Sequence, residues 1–171
     1  MTGTVRLDLH VHSAHSPDSR LRLTDIANQL PFAGLKGFAL TDHNSVAGHP
    51  SLPDLRARFP GVLILPGVEV STLEGHLLAY GVSEAPPPRR SLAETLDWVR
   101  ARAAVAVLAH PFRLTHGVGP RLAESAAVDG LEVRNGHNSE VQNFRARGGE
   151  SARFNPSVRS GPRLGAPTNR W

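Results

Sequence analysis

The chain has no cysteine among its 171 residues, and it has a single lysine, a single tyrosine and a single methionine. The absence of cysteine excludes disulfide bonds and thiolate metal sites, and it favours a reducing compartment. Long apolar runs are also missing, because the longest, such as residues 103–109, are far too short to span a bilayer. The N-terminus lacks the basic and then apolar pattern of a signal peptide. We therefore expect a cytoplasmic protein without membrane contact.

The net charge of +4 is spread unevenly along the chain. Residues 1–140 carry 13 basic and 14 acidic side chains, whereas residues 141–171 carry six arginines and one glutamate. The length and the 40% hydrophobic content suit one globular domain. We expect this domain at residues 1–140, followed by an irregular tail at 141–171 that is rich in Arg, Gly and Pro. The tail has few aromatic residues between its arginines, so nucleic acid is not the expected partner.

The hydrophobic pattern predicts strands that alternate in part with helices. Six strands are predicted, at residues 5–12, 37–41, 62–70, 76–80, 104–109 and 130–134. Four helices are predicted, at residues 25–30, 52–59, 92–102 and 121–127. Thr24 is expected to cap the first helix, and Ser91 with Glu94 forms a capping box for the third. This alternation predicts a parallel α/β arrangement.

The first predicted strand carries the segment Asp8-Leu9-His10-Val11-His12-Ser13. Its period of two places Asp8, His10 and His12 on one face. Two imidazoles on a rigid strand, with a carboxylate behind them to accept a ring N–H, are typical of a divalent-metal site. The alternative is a half-buried strand that happens to carry two histidines.

Other histidines and acids take the same position relative to their strands. Asp42 and His43 follow the second predicted strand, Glu69 ends the third, and His110 directly follows the fifth. In a barrel of βα units these strand ends meet on one face, where active sites lie. We expect Asp8 and Asp42 to support the ligands rather than to bind an ion. Four histidines are expected on the surface or in loops, namely His15, His49, His116 and His137.

Two arginines and one glutamate near the last strands need separate interpretations. Arg113 and Arg134 follow strand ends on the site face, where a planar guanidinium could clamp a phosphate. Glu132 is expected to face the barrel interior or a neighbouring arginine rather than an ion.

Seven short motifs lie at or near these strand ends. They are DLHVHS at 8–13, SPDS at 16–19, TDHN at 41–44, GVEV at 67–70, GHLLAYG at 75–81, AHPFR at 109–113 and GLEVRN at 130–135. Together they resemble the PHP family, the polymerase and histidinol phosphatase superfamily of metal-dependent phosphoesterases, over roughly residues 5–138. The resemblance implies a distorted barrel of seven βα units with two or three divalent ions at the C-terminal strand ends. Imidazole and carboxylate ligands suit Mn²⁺, Fe²⁺ or Zn²⁺.

The resemblance also implies a role for each candidate ligand. Three groups of metal ligands are implied: His10, His12 and Glu69 for a first ion; Glu69, His76 and His110 for a second; Asp18 and His43 for a third. Catalytic roles are implied for Glu69, His110 and Arg113.

One part of the family pattern is absent from this sequence. The family normally has a late Asp-x-His pair in a Gly-Ser-Asp-x-His setting, which supplies one ligand to the first ion and one to the third. No aspartate follows Asn135 here, and His137 is the only later histidine. We therefore expect a barrel that is incomplete or open at its C-terminal end. A shift of reading frame near residues 138–145 would explain both the missing pair and the arginine-rich tail.

The leading hypothesis is a metal-dependent phosphoesterase that hydrolyses a small phosphomonoester, such as a nucleotide or a histidinol-phosphate-like metabolite. A metal-bound hydroxide would be the nucleophile. The alternative is a PHP-like metal-binding protein with little or no turnover, because two ligands are missing. A nucleic-acid-binding module built on the arginine tail is the third hypothesis.

Overall fold

The predicted elements are present in the structure, a computed structural model that describes residues 4–150. The strands are β1 (Leu7–Val11), β2 (Gly37–Leu40), β3 (Leu63–Ser71), β4 (His76–Tyr80), β5 (Val105–Leu108) and β6 (Gly130–Leu131). The helices are α1 (Leu23–Gln29), α2 (Leu52–Arg58), α3 (Leu92–Arg100), α4 (Gly119–Ser125) and α5 (Glu140–Glu150), with a short 3₁₀ turn at His49–Ser51 before α2. The six predicted strands and four predicted helices all occur within a few residues of their expected ends.

The six strands form one curled sheet, shaped as a half-barrel, in the order β1-β2-β3-β4-β5-β6. β1, β2 and β3 are parallel, and β5 is parallel to β6. The expectation of a wholly parallel sheet is wrong at β4, which is antiparallel to both of its neighbours. Only residues 72–75 separate β3 from β4, and such a short connection allows a hairpin but no crossover. Within the described residues β1 and β6 are the two sheet edges, so the barrel is open as expected.

Helices cover one face of this sheet and bury its apolar side chains. Ile26 of α1, Phe38 of β2 and Leu52 of α2 belong to one buried cluster beside the first three strands. Leu96 of α3 and Leu131 of β6 belong to a second cluster beside the later strands. No helix in the part of the chain described by the structure has the length and apolar character of a membrane span.

The local sequence signals predicted the start of α3 correctly and the start of α1 incorrectly. α3 begins with the predicted capping box, because Ser91 Oγ accepts from the Glu94 N–H at 3.2 Å and the Glu94 carboxylate accepts from the Ser91 N–H at 2.9 Å. α1 begins at Leu23, earlier than predicted, so Thr24 lies inside the helix and does not cap it.

The segment from residue 141 was expected to be irregular, but its first ten residues belong to α5. Ser139 and Gln142 form a reciprocal cap, in which the Ser139 N–H donates to Gln142 Oε1 at 2.8 Å and the Gln142 N–H donates to Ser139 Oγ at 3.3 Å. Asn143 and Ala146 are buried against the domain. The folded unit therefore continues past residue 140, and the rest of the predicted tail, residues 151–171, lies outside the described residues.

Candidate metal centre

Six of the predicted site residues meet at neighbouring strand ends. They are His10 and His12 at the end of β1, His43 after β2, Glu69 in β3, His76 at the start of β4 and His110 after β5. Because β4 runs antiparallel, its first residue lies beside the C-terminal ends of its neighbours, and His76 pairs with Ser71. A further β-bridge between His43 and Glu69 extends the pairing of β2 with β3 into the site. The strand reversal that the sequence pattern missed thus completes the ring of ligands.

Glu69 is the centre of this ring, and its side chain is only 1% exposed. Its Oε2 lies 2.8 Å from His10 Nε2 and 2.7 Å from His12 Nε2. Its Oε1 lies 2.9 Å from His76 Nδ1 and 3.0 Å from His110 Nε2. Each carboxylate oxygen therefore faces a separate pair of imidazoles.

Asp18 and His43 form the outer side of the same group. Both Asp18 carboxylate oxygens lie 2.9 Å from His12 Nδ1, and one lies 3.7 Å from His43 Nε2. His43 Nε2 is also 3.5 Å from Glu69 Oε2. Ser16 Oγ donates to Asp18 at 2.6 Å and fixes this half-exposed carboxylate. The structure thus brings all seven predicted metal ligands together.

The donor atoms fall into three overlapping sets, each with all its atoms within 4.8 Å of one another. The sets are His10, His12 and Glu69; His12, Asp18 and His43; and His43, Glu69 and His76. The first set coincides with the first predicted group, and the second set adds His12 to the third predicted group. In the remaining set His43, rather than His110, accompanies Glu69 and His76.

The hydrogen bonds of His10 and His12 indicate that the site fits a cation. His10 Nδ1 faces Glu132 Oε1 at 3.1 Å, and His12 Nδ1 faces Asp18. When each Nδ1 carries the proton, as a carboxylate partner favours, each Nε2 turns a lone pair toward Glu69 Oε2. His12 Nε2 has no hydrogen-bond partner among the described residues despite its 2.7 Å distance from that oxygen. A second proton or a metal ion is required to make such contacts attractive.

Burial and neighbouring charges raise the pKa of one histidine of the site and lower the pKa of another. Burial alone would lower the pKa of His10, but Glu69 and Glu132 outweigh it and raise that pKa to about 9. Burial is the main cause that lowers the pKa of His43 to about 4. Burial would raise the pKa of Glu69, but the surrounding imidazoles, His10 foremost, hold it well below its usual range. Glu69 is therefore ionised at neutral pH, as a metal ligand must be.

Glu132 is buried against two candidate ligands, a contact that the sequence pattern did not reveal. It was expected to face the barrel interior or an arginine, and it is indeed buried, with its Oε1 paired with His10 Nδ1 and its Oε2 accepting from the His110 backbone N–H at 2.7 Å. The carboxylate expected behind the imidazoles was Asp8, whose Oδ1 accepts from the His10 backbone N–H at 3.1 Å. The register of β1 shifts between Asp8 and Val11, so the strict alternation assumed for this strand does not hold. The signal for Glu132 was its motif, since GLEV at 130–133 matches GVEV at 67–70.

Two further polar residues fix the loops that carry the ligands. Asp42 accepts from the Ser13 N–H at 2.6 Å and from Ser13 Oγ at 2.8 Å, which holds the turn after His12. Asn44 has a left-handed φ of 50° and exchanges hydrogen bonds with Ser71 at 2.8 and 3.0 Å. Asp42 therefore contacts the loop after His12 and is not one of the clustered donors.

All the candidate ligands except His10 line an open cleft of about 450 Å³. Arg113 lines it too, and its guanidinium has no acidic partner among the described residues. Arg134 is exposed and lies outside the lining. His116 and His137, which are exposed loop histidines as expected, also line the cleft, and the His116 ring stacks on His76 at 4.7 Å. A second cleft of about 340 Å³ beside α1 and α2 is largely apolar and contains none of the candidate ligands.

An open α/β half-barrel with a buried imidazole and carboxylate cluster at its strand ends defines a metal-binding class of protein. The chain belongs to the PHP domain family, whose model matches residues 8–109. This membership supports a metal-dependent hydrolase as the general class, and together with the ligand sets it supports divalent-metal binding.

Three similar proteins extend this comparison. The uncharacterized protein MJ1587 of Methanocaldococcus jannaschii is 27% identical over 147 residues, which cover 80% of this chain and 85% of that protein. A protein assigned as a metal-dependent phosphoesterase from Bifidobacterium adolescentis has a TM-score of 0.71 at 16% identity, over 87% of this chain and 84% of its own. An amidohydrolase from Chromobacterium violaceum, solved with bound sulfate and no metal, has a TM-score of 0.67 at 19% identity, over 85% and 83% of the two chains. At these identities the two solved structures show a shared fold.

Proposed function

We propose that this protein is a metal-dependent phosphoesterase that hydrolyses a small phosphomonoester, with a nucleotide or a histidinol-phosphate-like metabolite as the substrate class. The observation that carries the proposal is the convergence of five imidazoles on the buried carboxylate of Glu69, with Asp18 beside two of them, in a cleft open to solvent. The family match supports metal-dependent hydrolysis in general. The choice of a phosphate ester rests on the charge of the cleft.

Two or three divalent ions would be held by the donor sets around Glu69. His10, His12 and Glu69 would hold one ion, and Glu69, His76 and His110 would hold a second. Asp18 and His43 would hold a third. Such donors suit Mn²⁺, Fe²⁺ or Zn²⁺. When bound, the ions supply Lewis-acid stabilisation and a nucleophile at neutral pH.

The cleft would carry a positive charge once it is loaded. Asp18 and Glu69 are the only acidic residues among its lining residues. With the buried Glu132, Asp8 and Asp42 they supply five negative charges, which three divalent ions exceed before Arg113 is counted. A positive cleft with low-dielectric walls attracts a phosphate dianion. The planar guanidinium of Arg113, which has no acidic partner in the described chain, is suited to bind phosphate oxygens through paired N–H donors.

The chain's own residues orient the site rather than attack the substrate. Glu132 and Asp18 fix the rings of His10 and His12 through their Nδ1 atoms. Ser71 is a hydroxyl in the cleft, but its Oγ accepts from Asn44 Nδ2 at 3.0 Å instead of donating to a histidine. A serine nucleophile needs a base within hydrogen-bond reach, so this serine does not form a catalytic triad.

The test is hydrolysis by the full-length chain after metal removal and reloading with Mn²⁺, Zn²⁺ or, without oxygen, Fe²⁺. The substrates are phosphomonoesters, phosphodiesters and amides. We expect metal-dependent release of inorganic phosphate from a monoester, and loss of this activity in Glu69→Gln. Val141→Ala, a change at an exposed position of α5, is the matched control and should remain active. Metal uptake without turnover of any ester would overturn the proposal in favour of a metal-binding protein, and turnover of amides alone would replace the substrate class.

A further inference from the structure

α5 lies beyond the family match, which ends at residue 109, yet one of its side chains is buried next to the candidate metal centre. Asn143 is 4% exposed. Its Oδ1 accepts from the Asn135 backbone N–H at 3.0 Å, and its Nδ2 donates to the Asn135 carbonyl at 3.4 Å. Both polar atoms of this amide therefore hold the backbone of a single residue.

The side chain of Asn135 contacts Glu132. Its Nδ2 donates to both Glu132 carboxylate oxygens, at 2.9 and 3.0 Å. Glu132 in turn pairs with His10 Nδ1 and accepts from the His110 backbone N–H. An unbroken chain of hydrogen bonds thus runs from α5 to two candidate metal ligands, and each of its members is at most 4% exposed.

We propose that Asn143 is a positioning residue of the metal centre. By fixing the backbone of Asn135, it keeps the Asn135 amide against Glu132, so that Glu132 holds the His10 ring with Nε2 directed at Glu69. This inference rests on the metal site in the proposed function. Residues that orient a ligand from outside the coordination sphere typically change metal affinity by about 10- to 100-fold when they are removed. A fully satisfied buried network also loses more than one bond's contribution when a member is deleted.

The coupling must act in both directions. If the docking of Asn143 strengthens metal binding at His10, metal binding strengthens the docking of Asn143 by the same factor. The Asn135 backbone N–H is the readout, because it donates to Asn143 Oδ1. Hydrogen bonds thus connect α5 to the candidate metal site, although α5 differs in composition from the rest of the domain.

Co²⁺ binding to the full-length chain tests the inference, because the visible absorption of Co²⁺ reports both affinity and ligand geometry. We expect Asn143→Ala to weaken Co²⁺ binding by about tenfold and to shift the absorption bands, and Glu132→Gln to weaken it by about 10- to 100-fold. Val141→Ala, on the exposed side of the same helix, should bind like the unmodified chain.

Equal Co²⁺ affinity and equal bands in Asn143→Ala and the unmodified chain would overturn the positioning role and leave the proposed function standing. An unmodified chain that binds no Co²⁺ would overturn both. If Asn143→Ala fails to fold, amide hydrogen exchange of the unmodified chain decides. The Asn135 N–H should exchange more slowly with Co²⁺ bound, relative to an amide of α3 such as Val99, and an unchanged ratio would overturn the inference.

Discussion

His10 should make the stability of the metal-free chain depend on pH above neutrality. Burial lowers its pKa, but Glu69 and Glu132 outweigh burial and raise it from 6.5 to about 9 in the folded chain. A pKa raised on folding means that the folded state binds the proton more tightly than the unfolded state. The resulting stabilisation is complete below pH 6.5 and is lost as the pH rises through 9. The difference between the two pKa values corresponds to about 3 kcal/mol of unfolding free energy.

Urea denaturation of chelator-treated protein between pH 6.5 and 9 measures this loss. The chain has no cysteine, so no thiol titrates within this window. Glu132→Gln removes one of the two charges that raise the His10 pKa, so its decline should be shallower. A saturating divalent ion replaces the proton at the site and should abolish the decline. A chelated chain that is equally stable at both ends of the window would refute the argument.

Three further predictions concern separate parts of the molecule. Burial lowers the pKa of His43 to about 4, so the metal-free chain should lose stability as the pH falls from 6.5 through 4. In His43→Gln the free energy of unfolding, measured by urea denaturation, should fall less over this pH range. Arg113→Ala should raise KM for a phosphomonoester by about tenfold, which corresponds to the loss of one charge-assisted hydrogen bond, and it should change metal affinity little. An unchanged KM would show that Arg113 does not bind the phosphate. Ser91→Ala should cost about 1 kcal/mol in the free energy of unfolding through loss of the α3 cap, measured by urea denaturation, with metal affinity unaffected; weakened metal binding in this variant would contradict the separation of cap and site.

The sequence located most of the clustered side chains because they lie at strand ends, whereas Asp18 lies in a turn. His10, Glu69 and His110 directly adjoin short apolar runs, so locating the strands was enough to locate these residues. His43 follows the second strand after two polar residues. A shared sheet edge then brings them together without knowledge of the tertiary fold. The antiparallel direction of β4 could have been predicted from the sequence, because the four-residue connection at 72–75 is too short for a crossover.

The supporting contacts escaped prediction because they join residues far apart in the chain. The contact of Glu132 with His10 spans 122 residues, and the period of the first strand pointed to Asp8 instead. The role of Asn143 was hidden by composition, because an arginine- and glycine-rich segment gave no sign that one face of it would be buried. His116 lies in a loop, where no hydrophobic period predicts which way a side chain points. It lines the cleft from a left-handed backbone conformation with a φ of 66°.

The central claim is that imidazoles from separate strands hold cations around the single carboxylate of Glu69. The most direct measurement counts the ions bound per full-length chain after dialysis against Mn²⁺ or Zn²⁺, by plasma mass spectrometry, in the unmodified chain and in Glu69→Gln. The two oxygens of Glu69 face separate imidazole pairs, so we predict at least two ions in the unmodified chain and loss of both in the folded variant. An unmodified chain without bound ions, or a Glu69→Gln chain that keeps them all, would contradict this account.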